Sequence, residues 1–457
     1  MDLEPPLLRG LDGAPLLSRP ERTAAVERLA SALSTHGVRE GDVVATVLPA
    51  GPSLAAAAAA CWRLGAVLAP LGDQLPPAEL DRALAAARPR GLLAPAGAEV
   101  EWRPCSPAAS DSRPGDALLL LTSGSTGTPK AVILTRANVA AGTAAVVGTF
   151  GLGEADATLA LLPLTHGHGL LGVLLATAAS GGSVLLGARG NPRAAVEAIV
   201  AGRVSWISVV PPLLALLVEA ARSRPVRGRL RFIRTASAPL PVGLASRAEE
   251  VFDCPVAEAY GMTETSHQAA ANPPDRERRR LGTVGVPTGT EWRLAGEEVG
   301  GGRLLEVRGP GVFRGYLGQP ELTDAALTPD GWYRTLDVGR VEAGGHLRLL
   351  GRRSEFINRG GAKVAPAEVE EAASSHPDVA ACLAAAVPHP VLGEEVGLLV
   401  VPRQGGRLDV ADLRRHCAER LADDKRPGVI GLADRLPGLA SGKPSRSLAG
   451  QLLAAGR

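Results

Sequence analysis

Around residue 120 an apolar run, DALLLL, meets TSGSTGTPK and then AVILT. The pattern predicts a strand, a loop of glycines and hydroxyls, and a second strand. Gly124 and Gly127 open backbone conformations closed to other residues, so amide N–H groups there can converge on an anion. Thr122, Ser123, Ser125, Thr126 and Thr128 add hydroxyl donors, and Lys130 adds a compact positive charge. Such a set suits a polyphosphate. It is not a Walker loop, because no Gly-Lys-Ser/Thr triplet closes it and the residues after it are strand-like, not helical. For the loop alone, a plain Ser/Gly turn is the competing explanation, and the company it keeps along the chain decides.

EAYGMTET, Glu258 to Thr265, sets an aromatic ring beside a hydroxyl and a carboxylate. Tyr260 offers an aromatic face, Thr263 a hydroxyl donor, and Glu264 a hard carboxylate oxygen. WYRTLDVG supplies a further carboxylate, Asp337, and LASGKPSRS a further ammonium, Lys443. Of 49 basic residues only Lys130, Lys363, Lys425 and Lys443 are lysine. Lysine kept against so strong an arginine bias suggests positions that need a compact ammonium in place of the wide guanidinium fork.

In this order the segments resemble the adenylate-forming superfamily of acyl-CoA synthetases, peptide-synthetase adenylation domains and luciferases. The resemblance rests on five ordered motifs between residues 122 and 446. It implies that the 122–130 loop handles the phosphates of ATP. The adenine pocket would be formed by Ser237 and Ala238 of RTASAPL together with Glu258, Ala259, Tyr260, Gly261 and Met262. Thr263 would lie near the α-phosphate, Glu264 on Mg²⁺, Asp337 on the ribose hydroxyls and Arg352 beside the ribose. Arg359, Gly360 and Gly361 would line the tunnel of a CoA thiol after the small domain turns. Lys443 would bridge the attacking carboxylate and the α-phosphate. The catalytic set is then Lys443, Thr263, Glu264 and Lys130, with ATP, Mg²⁺ and CoA as cofactors. Three positions depart from the pattern: Ala131 where glycine usually follows the lysine, Leu336 in place of the glycine of RTGD, and Ser354 at a hinge where aspartate or lysine is usual.

His166 and His168 in LLPLTHGHGLLG, with His267 in TETSHQAAANP, are the candidate acid-binding residues. Imidazoles can donate to an oxyanion, whereas a long alkyl tail would leave them unpaired. These strings, with INRGG, are similar to the oxalate–CoA ligase branch, which makes oxalate or another short carboxylate the expected substrate. Thr165 departs from it, standing where an aromatic commonly precedes the first histidine. Two alternatives keep the adenylation and change the acceptor: a carrier-protein loader, and a nitrite-activating diazotase serving an amine.

The elements that must hold these residues follow an α/β pattern. ERTAAVERLASALSTHG is helical in spacing, DVVATVLP strand-like, and an alanine-rich helix precedes AVLAPL. After residue 280 the segments EWRLAG, GRLLEVRG and HLRLLG alternate and are bounded by turns, which predicts antiparallel strands. The expectation is a large multi-layered α/β domain over 1–352, with two α/β sheets and a small β-barrel-like unit, and a small mobile α+β domain over 353–457. With 46% hydrophobic and 21% charged residues and a net charge of +2, the composition is that of a globular protein without a nucleic-acid footprint. The apolar stretches are interrupted, so no membrane span is expected. Five scattered cysteines and an N-terminus unlike a signal peptide point to the cytoplasm.

Overall fold

The structure is a computed structural model that describes residues 6–97, 99–105, 112–122, 129–403, 408–438 and 444–456. Ser123, Gly124, Ser125, Thr126, Gly127 and Lys443 lie outside the described residues.

The expected alternation of helix and strand is present from the first elements. Helix Arg19–Thr35 starts at a capping box, in which Ser18 and Glu21 satisfy each other's backbone N–H groups, and it buries Val26, Ala30 and Leu33. Helix Pro52–Arg63 is alanine-rich, and its small side chains let it lie close on the sheet. Trp62 Nε1 ties it there by donating to the carbonyl of Ala117 at 2.7 Å.

A seven-stranded mixed sheet runs in the order Gly315–Tyr316, Lys130–Thr135, Asp116–Thr122, Val67–Pro70, Val43–Thr46, Gly91–Ala96 and Glu99–Pro104. The strands flanking the phosphate loop are an antiparallel pair, with Thr122 opposite Lys130. A second sheet carries three parallel strands, Trp206–Val209, Phe232–Thr235 and Val256–Tyr260, continued by two short antiparallel ones. Ser237 and Thr263 follow directly on the carboxyl ends of two of these parallel strands, the end at which open α/β sheets gather ligands. A three-stranded parallel sheet joins Leu7–Arg9, Ser183–Leu185 and Ala157–Leu159.

After residue 280 the predicted antiparallel unit is a four-stranded sheet of Glu291–Val299, Gly302–Arg308, Tyr333–Val341 and Leu347–Arg352. The C-terminal hundred residues form a mixed sheet with helices Pro366–Ser374, Val410–Ala418 and Arg446–Ala455. Phe356 packs with Val338, Leu350 and Ala365, and Arg348 Nη1 lies 2.9 Å from Glu371 Oε2, so the two regions touch through both apolar and charged contacts.

The strand that carries Asp337 is not regular. Glu306 pairs with Arg334 and Leu304 with Val338, so Leu305 faces the three residues Thr335–Asp337 in a bulge. Thr335 Oγ1 donates to the carbonyl of Leu305 at 2.8 Å and receives the N–H of Asp337 at 3.1 Å, which fixes the bulge and aims the aspartate. Leu336 sits at its apex with φ 62°, in the left-handed region. The leucine that departs from the glycine pattern therefore keeps glycine's backbone conformation, at an energetic cost. Its side chain is 58% exposed and contributes little packing in return. Leu336→Gly is expected to stabilise the fold by about 0.5–1 kcal/mol, the relief of left-handed strain less the extra chain entropy of glycine. A higher urea midpoint at unchanged m-value checks this, and a lower midpoint refutes it.

Candidate active site

The chain has three tyrosines, and all of them stand at this site. Tyr316 lies on the short strand beside Lys130–Thr135, opposite Val132, so Lys130 is its diagonal neighbour on the same face. The ammonium of Lys130 is 5.3 Å from the centre of the Tyr316 ring. The Tyr316 hydroxyl donates to Glu264 Oε1 at 2.9 Å. One phenol thus links the end of the phosphate loop to the carboxylate proposed for Mg²⁺. Burial, reinforced by the charge of Glu264, pushes the Tyr316 hydroxyl well above its ordinary range, so it remains a donor. Phe313 meets the ring edge-on, and its backbone N–H donates to the carbonyl of Glu264 at 2.8 Å.

Among the described residues no group of three or more His, Cys, Asp or Glu side chains could hold a metal alone. A single buried carboxylate with one oxygen already oriented fits Mg²⁺, which is usually held by one or two carboxylates plus substrate phosphates. Glu264 belongs to the 3₁₀ turn Thr263–Thr265, and the two residues that end it, Ser266 (φ 50°) and His267 (φ 79°), are both left-handed. The chain doubles back here so closely that a Cβ on Gly261 would lie 2.1 Å from the carbonyl oxygen of His267. The glycine of the Tyr-Gly pair is thereby explained: it leaves room for the returning chain.

At the other end, the Tyr260 hydroxyl donates to Asp337 Oδ2, and Arg352 Nε lies 3.3 Å from Asp337 Oδ1. Arg352 comes from the directly paired position of the next strand. Burial raises the Asp337 carboxyl above its usual range, against the pull of Arg352 and Tyr260. Glu258, by contrast, turns inward and accepts the N–H of Leu240 at 3.2 Å, so its side chain ties the YGMTE strand to the RTASAPL segment. Ala259 is buried and paired with Ala271, while Ala238 and Met262 are half-buried.

The structure brings together two of the three histidines. The rings of His168 and His267 stack at 4.7 Å between centres. His166 is exposed, at the N-cap of the short helix Gly167–Gly169. That helix continues as a π-helical stretch, Leu170–Leu175, a local irregularity found often at functional sites. Its Gly172 lies against His267, where an added Cβ would come within 2.5 Å of the ring.

Beside this pair is the first residue of RTASAPL, to which the motif assigns no role. Arg234 is completely buried. Its Nη2 lies 2.9 Å from His267 Nε2 and 3.0 Å from Gln268 Oε1, and its Nη1 donates to Ser208 Oγ at 3.0 Å. Burial lowers its guanidinium to about 9, still cationic at neutral pH. A charge inside the apolar strand FIRT was the available signal, since both faces of a parallel sheet are normally covered. Tyr316 carried no such signal, because nothing in GYLG points to a glutamate 52 residues earlier.

The thiol-site candidates lie in the C-terminal region. Gly360 (φ 57°) and Gly361 (φ 96°) form a two-residue hairpin turn, and Arg359 pairs with Glu395 at 2.8 Å and donates to the carbonyl of Asp423 at 2.7 Å.

Residues 17–317 match the AMP-binding enzyme family, and residues 368–443 match the AMP-binding enzyme C-terminal domain. An oxalate–CoA ligase of Arabidopsis thaliana is 38% identical over 348 residues, covering 73% of this chain and 67% of that protein. A sulfoacetate–CoA ligase of Cupriavidus necator is 34% identical, covering 92% of this chain and 89% of its own. ATP-bound MatB from Rhodopseudomonas palustris superposes with a TM-score of 0.87 at 26% identity, over 99% of this chain and 96% of the other. Among the described residues no helix is long and apolar enough to cross a membrane.

Glu258 gives a pH signature. Burial raises its carboxyl from 4.5 to about 8, so between these values the folded chain keeps a proton that the unfolded chain releases. The stability associated with this residue is full below 4.5, declines as pH rises, and levels off above about 8. Glu258→Gln keeps an acceptor for Leu240 and cannot ionise. Its unfolding free energy relative to the parent is expected to rise with pH across that window. Parallel pH profiles would show that the folded carboxyl is ionised throughout.

Proposed function

This chain belongs to the AMP-binding enzyme family, and we propose that it joins a small acid to the thiol of coenzyme A in two steps at the expense of ATP. In the first, an oxygen of the acid's carboxylate attacks the α-phosphorus. The bond to the bridging oxygen breaks, giving an acyl-adenylate and pyrophosphate. In the second, the thiol sulfur attacks the acyl carbon, the acyl–oxygen bond breaks, AMP leaves, and the thiol proton passes to solvent.

The single observation that carries this reading is the sharing of Tyr316 by Lys130 and Glu264. It joins the ammonium of the phosphate loop to the carboxylate suited to Mg²⁺. Positioning and charge stabilisation of this kind account for most of the rate in phosphoryl-type displacements. Lys130, Thr122 and the loop hydroxyls cradle the phosphates, Thr263 donates to the α-phosphate, and Glu264 would hold the metal. Bound Mg²⁺ would neutralise phosphate charge. Tyr260 lays its ring on adenine and holds Asp337 for the ribose hydroxyls, with Arg352 beside it. Lys443 spans the attacking carboxylate and the α-phosphate. The region 353–457 then turns about Ser354 relative to 1–352, withdrawing Lys443 and bringing Arg359, Gly360 and Gly361 to the thiol.

We assign the acid to the short anionic class, with oxalate as its first member. A buried polar cluster of His168, His267 and Ser208 around the cationic Arg234 supports this, because it offers an anion a favourable field and an alkyl chain no apolar surface. The relatives named for oxalate and sulfoacetate support it as well, since each of those acids carries two anionic groups.

Exchange of labelled pyrophosphate into ATP, with acids supplied singly, tests the first step: exchange with oxalate or a similar acid is expected, and none with any acid would overturn the reading. Lys443→Ala is expected to cut exchange by about 100- to 1,000-fold, the loss typical of one charge-stabilising donor. Thioester formation from preformed adenylate should fall far less. Equal losses in both half-reactions would remove the turning domain from the mechanism.

A further inference from the structure

We propose that Arg234 is a positioning residue that directs a chain of hydrogen bonds through Ser208 and His168 to Ser237, so that the Ser237 hydroxyl is presented as a donor to a second anionic group on the acid. This rests on the acid-activating reading above.

The direction of the chain follows from the chemistry of its members. A guanidinium has donors and no acceptor. Arg234 Nη1 donates to Ser208 Oγ at 3.0 Å, so that oxygen is an acceptor toward the arginine. The hydroxyl hydrogen of Ser208 is then left for His168 Nε2, 2.8 Å away. A neutral imidazole that accepts at Nε2 carries its proton on Nδ1, and His168 Nδ1 is 3.0 Å from Ser237 Oγ. Ser237 therefore accepts from the ring and keeps its own hydrogen to donate outward. In the reverse direction Ser208 would accept from both Arg234 and His168, and its own buried hydrogen would have no acceptor among the described residues, so the direction given is the one that satisfies every group. The stacked ring obeys the same constraint: His267 Nε2 accepts from Arg234 at 2.9 Å, which puts its proton on Nδ1.

Two independent observations indicate that an anion completes the arrangement. Arg234 is fully buried, and among the described residues its partners are the neutral Ser208, His267 and Gln268, with Phe150 under the guanidinium at 5.7 Å. Its Nε has no hydrogen-bond partner among the described residues. Buried charges are ordinarily paired, so the missing negative charge is one the ligand brings. Separately, Ser237 is exposed at the outer end of the chain and held at φ 74°, a strained conformation for serine that the fold maintains where a ligand would be met. The anion thus feels Arg234 through the polarised groups of Ser208, His168 and Ser237 without touching it, and either a carboxylate or a sulfonate satisfies the geometry.

Pyrophosphate exchange with oxalate and with oxamate, in which a neutral amide replaces one carboxylate, decides the matter; sulfoacetate and acetate form the sulfonate arm. The parent enzyme is expected to prefer the doubly charged acid of each pair. Arg234→Gln should lower the oxalate-to-oxamate ratio of kcat/KM by about 10- to 100-fold, the range for one charge-assisted hydrogen bond, chiefly through the KM of oxalate. Arg234→Lys should recover part of the ratio. Ser208→Ala breaks the chain while leaving the arginine in place, should lower the ratio in the same sense, and is decisive if Arg234→Gln does not fold. An unchanged ratio in Ser208→Ala, equal losses for both acids, or a parent enzyme that prefers oxamate overturns the proposal while leaving acid activation intact. Failure of exchange with every acid instead removes the activation reading itself.

Discussion

The guanidinium of Arg234 lies where water cannot reach it, and neutral partners surround it. Such a group imposes requirements on everything it touches. Each neighbour must accept, so Ser208, Gln268 and His267 all turn an acceptor toward it. His267 must bring its ring back over the π-helical stretch, and this leaves room only for glycine at position 172. The irregular helix, the left-handed pair Ser266–His267 and the stacked imidazoles all lie around this buried charge, which fixed dipoles must solvate.

Strain is distributed accordingly. Among the described residues six non-glycine residues have positive φ, and two of them, Arg88 and Asp253, are ordinary left-handed helix caps. The other four, Ser237, Ser266, His267 and Leu336, carry or adjoin the groups described above. Conformations costing about 1–3 kcal/mol each persist only where the surroundings over-determine them. Here the surroundings are hydrogen bonds from the same clusters: Thr335 with Leu305 and Asp337, and His168 with Ser237.

Tyrosine provides the links between sheets. Tyr260 reaches Asp337 across 77 residues of sequence, and Tyr316 reaches Glu264 across 52. Each phenol is apolar enough to be buried and still delivers one directed donor to a carboxylate, so each pair stays oriented without a second charge. Arg352, by comparison, is largely exposed beside Asp337, and its pull is screened.

Local order was legible in the sequence. The two strands on either side of residues 123–128, the alternation of helix and strand up to residue 100 and the antiparallel segments after residue 280 all fell where periodicity and turn residues put them. The motifs also named the groups suited to an adenylate chemistry, because side-chain type is a property of the residue itself. What the tertiary structure alone decided was which groups meet. His168 stacks with His267 while His166 stays exposed, Glu258 turns inward to Leu240, and Leu336 takes a glycine's conformation. Tyr316 enters the site without any motif to announce it, and Arg234 opens the RTASAPL segment without a role that the motif assigns. Each of these outcomes depends on contacts between segments tens of residues apart, and such contacts are set by sheet register and by the need to satisfy buried polar atoms, which no local window of sequence contains.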